Sequence, residues 1–109
     1  MALPPLTPEQ RQQALEKAAQ ARRVRAEVKN RLKHSGGSLA EVLQRGQNDD
    51  DDGKIIGKMR VTALLESMPG VGKVRARQLM ERLAISPSRR VRGLGANQVA
   101  ALEREFPAA

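Results

Sequence analysis

The chain is 109 residues long, enough for one small core and an appendage. Its 20 Lys and Arg outnumber 12 Asp and Glu, giving a formal charge of +8, so a polyanionic partner is the first expectation. With no Cys, one His and Phe106 as the single aromatic residue, the sequence excludes disulfide frameworks and thiolate zinc sites, and it argues against modules that stack single-stranded bases on aromatic rings.

No apolar run approaches the roughly 18 to 20 residues of a membrane span, and the N-terminus lacks the basic-then-apolar order of a signal peptide. A cytoplasmic protein without a membrane partner is expected. Charge is distributed in blocks. Residues 1–46 carry nine basic and four acidic groups, residues 47–66 three and five, and residues 67–109 eight and three. Two basic blocks therefore flank an acidic joint.

In chain order, residues 1–6 read as a leader. Thr7 is a good N-cap, with Pro8 at the first helical position and Gln10 completing a capping box. The following stretch holds no Pro or Gly and is dense in Ala, Glu, Gln, Lys and Arg, which predicts one long helix over 8–34, stopped by Ser35-Gly36-Gly37. Its apolar stripe, Ala14, Ala18, Ala21, Val24, Val28 and Leu32, gains bulk only toward the C-terminal end. The front half is expected to project and the back half to dock.

Ser38 and Glu41 form a second capping box before a short helix over 39–45, with Leu39, Val42 and Leu43 on one face and Gly46 as its stop. Residues 47–53, with four consecutive aspartates at 49–52, read as a mobile, hinge-like acidic loop that repels nucleic acid. Four adjacent carboxylates lack the spaced alternation of a calcium loop, so no metal site is expected there. The division expected is an N-terminal segment 1–46, an acidic linker 47–57 and a helical domain 58–109.

Val61, Leu64, Leu65 and Met68 fit helical spacing, Pro69-Gly70-Val71-Gly72 turns the chain, and Ala76, Leu79, Met80 and Leu83 repeat the spacing. Ser86-Pro87 and Gly93-Leu94-Gly95 bracket a basic loop, and Val99, Leu102 and Phe106 mark a closing helix. No strand signal is present.

Three clusters carry candidate chemistry. In Gly70-Val71-Gly72-Lys73, two glycines admit close backbone approach, and the free N–H groups at the helix start form an anion site. Cations at a helix start oppose its dipole by roughly 0.3 to 1 kcal/mol, yet Lys73, Arg75 and Arg77 precede any acid here. A local rule broken so consistently points to a bound phosphate; the bland alternative is a helical hairpin with a solvated basic face. The second cluster is Arg89, Arg90, Arg92 and Gly93, guanidinium forks suited to phosphate and to narrow minor grooves. The third is the basic N-terminal helix, where Arg31 and Lys33 are the candidate contacts among basic residues that wrap around more than one face. His34, near a helix end, reads as a cap and not as a catalyst.

The stretch from Leu64 to Phe106 resembles the helix-two-turns-helix module found in ribosomal small-subunit protein thirteen and in formamidopyrimidine-type DNA glycosylases. It carries the Pro-Gly-Val-Gly-Lys turn, Arg75-Ala76, Ile85-Ser86-Pro87 and the triple arginine. The whole chain is similar to the actinobacterial integration host factor family. That likeness rests on its opening Met-Ala-Leu-Pro, Ala-Leu-Glu-Lys-Ala-Ala at 14–19, Lys-Asn-Arg-Leu-Lys-His at 29–34 and Arg-Arg-Val-Arg-Gly-Leu-Gly at 89–95.

The resemblance implies an all-α protein, a long N-terminal helix packed on a compact helix-two-turns-helix domain. It implies a monomeric, non-enzymatic nucleoid protein that binds double-stranded DNA with little sequence preference, affects its topology and compaction, and assists phage integration, with an integrase as a further partner. It also implies DNA contact at Gly70, Val71, Gly72 and Lys73 and at Arg89, Arg90 and Arg92, and no cofactor. The four-aspartate run departs from the family pattern. An RNA- or ribosome-binding module remains the alternative, because the same hairpin serves a ribosomal protein. A glycosylase would need a catalytic domain that this length does not hold, and a recombinase accessory acting through protein contacts would tolerate loss of Lys73 and the arginine loop.

Overall fold

Thr7 and Gln10 close the expected capping box. The Gln10 N–H donates to Thr7 Oγ1 at 3.1 Å, and the Thr7 N–H donates to Gln10 Oε1 at 3.0 Å. Helix α1 (Pro8–His34) follows, with Glu9 in its first turn and Arg31, Lys33 and His34 in its last, each suited to the local dipole. A computed structural model describes residues 5–34 and 39–107 of the chain. The expected stop at Ser35-Gly36-Gly37 and the cap Ser38 lie outside the described residues.

At about 1.5 Å per residue α1 is roughly 40 Å long. Val24, Val28 and Leu32 are buried, whereas every residue from Pro8 to Lys17 is exposed. The front projects and the back docks because bulky residues repeat along one face only at the back, Leu15 standing alone and exposed at the front. Helix α2 (Leu39–Arg45) buries Leu39, Val42 and Leu43 and ends at Gly46, whose N–H donates to Val42 O at 3.0 Å.

The acidic segment corrects the expectation of a mobile loop. Asp50 is an N-cap whose side chain accepts from the Gly53 N–H at 2.9 Å, and helix α3 (Asp51–Gly57) follows. Asp51 and Asp52 occupy its first turn, where negative charge complements the exposed amides. The helix packs against α1 and α2, and its Ile56 is fully buried. The carboxylates therefore start a helix, and the segment is an integral part of the core.

Helices α4 (Val61–Glu66) and α5 (Lys73–Arg82) form the hairpin, a 3-10 turn spans Val91–Gly93, and α6 (Ala96–Glu105) closes the chain. One hydrophobic cluster takes a residue from every helix: Val28, Val42, Ile56, Leu65, Met80 and Leu102. Among the described residues no strand forms. The single antiparallel bridge, Arg60 to Arg90, has the Val61 N–H donating to Arg89 O at 3.0 Å and the Val91 N–H donating to Met59 O at 2.9 Å. That bridge pins the arginine loop to the start of α4.

Candidate nucleic-acid interface

The turn between α4 and α5 is shaped by glycine. Gly70 has φ +74°, a left-handed conformation that L side chains resist. At Gly70 and at Gly72 a Cβ would meet nothing within 4 Å, so both face open space and a ligand could approach the backbone there. Gly72 is the N-cap of α5 and offers no side-chain acceptor, leaving first-turn amides of a ten-residue helix free to bind an anion.

Val71 differs from its neighbours in the turn. Its side chain is 7% exposed and belongs to the core, and its N–H already donates to Met68 O at 3.2 Å. It anchors the turn from below and offers no side chain to a ligand.

Lys73 and Arg77, one turn apart, line a groove of about 230 Å³ together with Thr62, Glu66, Glu81 and Pro87. Arg75 falls on the other flank of α5, about 160° away at 3.6 residues per turn. The structure therefore gathers Lys73 and Arg77 but not Arg75.

The arginine loop is more tightly organised. Val91 is fully buried and holds the loop down. Arg89 Nη1 donates to Gly93 O at 2.9 Å, Arg90 Nη1 to Lys58 O at 2.7 Å and Arg92 Nη2 to Asn48 O at 2.6 Å. A guanidinium has five N–H donors, so each fork is fixed by a backbone carbonyl and keeps other donors for an incoming oxygen. Arg92 also lies 3.7 Å from the exposed Asp49 carboxylate. Its position depends on a close crossing. A Cβ on Gly57 would meet Gly46 O at 2.7 Å and Arg92 Cβ at 3.2 Å, so only glycine lets the segments pass.

Lys58, Ser86, Ser88, Arg89, Arg90 and Arg92 line one groove of about 510 Å³, floored by Gly57 and Gly93 and without a carboxylate. Lys58 is a member that the sequence reading missed, because it ends a helix read as a linker. A signal was available: Lys54 and Lys58 stand four apart, one turn of a helix.

Arg31 is engaged within the fold. Its Nη1 pairs with Glu41 Oε1 at 2.6 Å, tying α1 to α2. Lys33 is exposed near the end of α1 and lines none of these grooves. Ion pairing sorts the cations. Arg31, Arg45 and Arg82 are matched by Glu41, by Glu27 and Asp52, and by Glu105. Among the described residues, Lys58, Lys73, Arg77, Arg89 and Arg90 have no ion-pair partner. Arg31, Arg45 and Arg82 thus tie helices together, whereas these five cations line open grooves, Arg92 beside them being, among the described residues, the one cation of these grooves with a carboxylate in ion-pair reach.

Among the described residues no helix is long and apolar enough to cross a membrane, and no three His, Cys, Asp or Glu side chains are placed to hold a metal ion.

Comparison with known proteins agrees with this geometry. A family model described as an S13-like H2TH domain matches residues 32–106. The integration host factor of Streptomyces coelicolor is 76% identical over 106 residues, covering 97% of this chain and 95% of that protein. The integration host factor of Mycobacterium tuberculosis is 54% identical over 109 residues, covering all of both chains. A solved structure of sIHF bound to an 8-bp palindromic DNA superposes with a TM-score of 0.76 at 72% identity, covering 84% of this chain and 98% of that one.

Proposed function

The chain belongs to the actinobacterial integration host factor family and carries its S13-like H2TH domain; from that premise we propose that it is a non-enzymatic, nucleoid-associated protein that binds double-stranded DNA through phosphates and the minor groove. The observation that carries this reading is the convergence of Lys58, Arg89, Arg90 and Arg92 on one acid-free groove, with the three arginine forks held by backbone carbonyls. The DNA held by the 72%-identical solved structure supports the same partner.

The mechanism is electrostatic and geometric. The amides at the start of α5, with Lys73 and Arg77, take a phosphate of one strand at the open glycine turn. The preset guanidiniums of the arginine loop reach a narrow minor groove, where the negative potential is strongest. Neither contact reads a base pattern, so binding is largely independent of sequence. A monomer gripping backbone at the turn and at the loop alters duplex path, and that is the source proposed for effects on topology, on compaction and on assembly of an integrase complex during phage integration.

The S13-like character of the domain favours one second reading, an RNA- or ribosome-binding module. Fluorescence anisotropy on a scrambled DNA duplex, its single strand and the matching RNA duplex separates the two. The DNA duplex is expected to bind best, with a steep salt slope. Arg89→Ala/Arg90→Ala/Arg92→Ala should lower that slope by about 2.7, roughly 0.9 for each phosphate no longer neutralised. Tighter binding to the RNA duplex, or wild-type behaviour of the triple variant, would replace this reading with the ribosomal or protein-partner alternative.

A further inference from the structure

The charges of α1 are unevenly placed around its axis. At about 100° per residue, Arg11, Arg22, Arg25, Lys29 and Lys33 lie within about 80° of arc on one side of the Val24–Val28–Leu32 stripe. Glu9, Glu16 and Glu27, the acids of this helix, all lie on the other side, together with Arg23 and Arg31. The docked end of that mixed flank is matched within the fold, Arg31 pairing with Glu41 and Glu27 standing 3.6 Å from Arg45. The purely basic flank is not. Arg25 and Lys29 are exposed and, among the described residues, have no ion-pair partner.

What that flank meets is more positive charge. Arg25, Lys29, Lys58, Arg60 and Arg90 rim a groove of about 380 Å³ over an apolar floor of Ile55, Met59 and Ala63, and no carboxylate lines it. The adjoining groove toward the N-terminus adds Lys17 and Lys54 against one acid, Asp51. Folding thus draws cations from α1, α3, the start of α4 and the arginine loop together, with Asp51 as the one acid lining either groove. Like charges brought together in this way destabilise the free fold, and a polyanion relieves them.

Lys58 and Arg90 line both this groove and that of the arginine loop, so the positive track is continuous. A duplex of eight base pairs is about 27 Å long at 3.4 Å per pair, whereas the molecule measures 48 Å along its longest axis. A duplex that short cannot span the whole length of the molecule.

The geometry points to a second DNA-binding surface, the groove between the basic flank of α1 and the α3–α4 junction, which takes the phosphate backbone of a duplex stretch beyond the one held by the hairpin and arginine loop. Arg25, Lys29 and Arg60 belong to it alone. Lys58 and Arg90 join it to the first surface. The inference rests on the duplex-binding reading above, and an acidic protein is disfavoured because the track runs unbroken into the groove assigned to DNA.

The test compares 8-bp and 40-bp duplexes by anisotropy across a salt series, using wild type and Arg25→Ala/Lys29→Ala/Arg60→Ala. The variant is expected to bind the 8-bp duplex as wild type does. On the 40-bp duplex its salt slope should fall by up to about 2.7, with affinity lower on the order of tenfold. The charge-conserving variant Arg25→Lys/Lys29→Arg/Arg60→Lys should keep the wild-type slope. A second measurement uses only the wild type: the 40-bp duplex should protect Lys29 from amine acetylation, and the 8-bp duplex should not. Equal weakening on both lengths, no weakening on either, or Lys29 labelled equally with and without the 40-bp duplex overturns the second surface. Failure of wild type to bind either duplex would instead sink the DNA-binding reading itself.

Discussion

Two positions with positive φ make opposite predictions. Ala84 sits at φ 57° just past the end of α5, in a motif where the Ile85 N–H donates to Met80 O at 2.8 Å. Glycine is the usual occupant of that conformation, since a Cβ there costs about 1 to 2 kcal/mol. Ala84→Gly recovers that strain and returns about 0.4 to 1 kcal/mol of unfolded-chain entropy. A net gain of about 0.5 kcal/mol is expected in urea denaturation, and a decrease would show that the strain is absent. Gly70, at φ +74° with open space around its Cβ direction, should respond in the other sense. Gly70→Ala brings no clash, so its cost is purely conformational: about 1 to 2 kcal/mol of strain, offset by the same unfolded-chain entropy to a net loss of about 0.5 to 1 kcal/mol. Because the turn faces the proposed ligand, the same substitution should also weaken duplex binding, whereas Ala84→Gly should not.

Among elements, α3 shows what a sequence reading misses. The long helix, the hairpin helices and the closing helix were legible because Val24–Val28–Leu32, Val61–Leu64–Leu65–Met68, Ala76–Leu79–Met80 and Val99–Leu102–Phe106 keep helical spacing. Helix α3 has seven residues, two of them glycine, and no such repeat, and its stability comes from Asp50 and from packing Ile56. The candidate site divided in the same way. Glycine turns and arginine runs are local and were visible, and Lys73, Arg89, Arg90 and Arg92 line open grooves. The burial of Val71, the pairing of Arg31 with Glu41 and the arrival of Lys58 beside Arg90 depend on distant segments coming together. The four aspartates are thus predicted to be unequal. Asp50→Ala should cost about 1 kcal/mol as a lost N-cap, lowering the melting temperature by about 4 °C, while Asp51→Ala should cost only a few tenths. Equal effects of the two would argue against capping. Asp49→Ala removes the carboxylate 3.7 Å from Arg92 and should leave stability unchanged while tightening duplex binding.

For the whole molecule, a net charge of +8 couples stability to its partner through salt. The free protein carries unmatched cations crowded around its grooves, so screening should relieve more repulsion than the attraction it weakens in the few exposed ion pairs, each worth about 0 to 1 kcal/mol. Its melting temperature is expected to rise between about 50 and 500 mM NaCl, a range over which the screening length falls from roughly 14 to 4 Å. With saturating duplex present the sign should reverse. DNA stabilises the fold by RT ln(1 + [L]/Kd), and Kd weakens steeply as counterions compete. The curves with and without DNA should therefore converge from opposite directions as salt increases, a behaviour that differential scanning calorimetry can follow in one titration. Parallel curves would mean that the positive surface is not where DNA binds. A free protein destabilised by salt would mean that the ion pairs between helices outweigh the repulsion, and that the unmatched cations are too well hydrated to strain the fold.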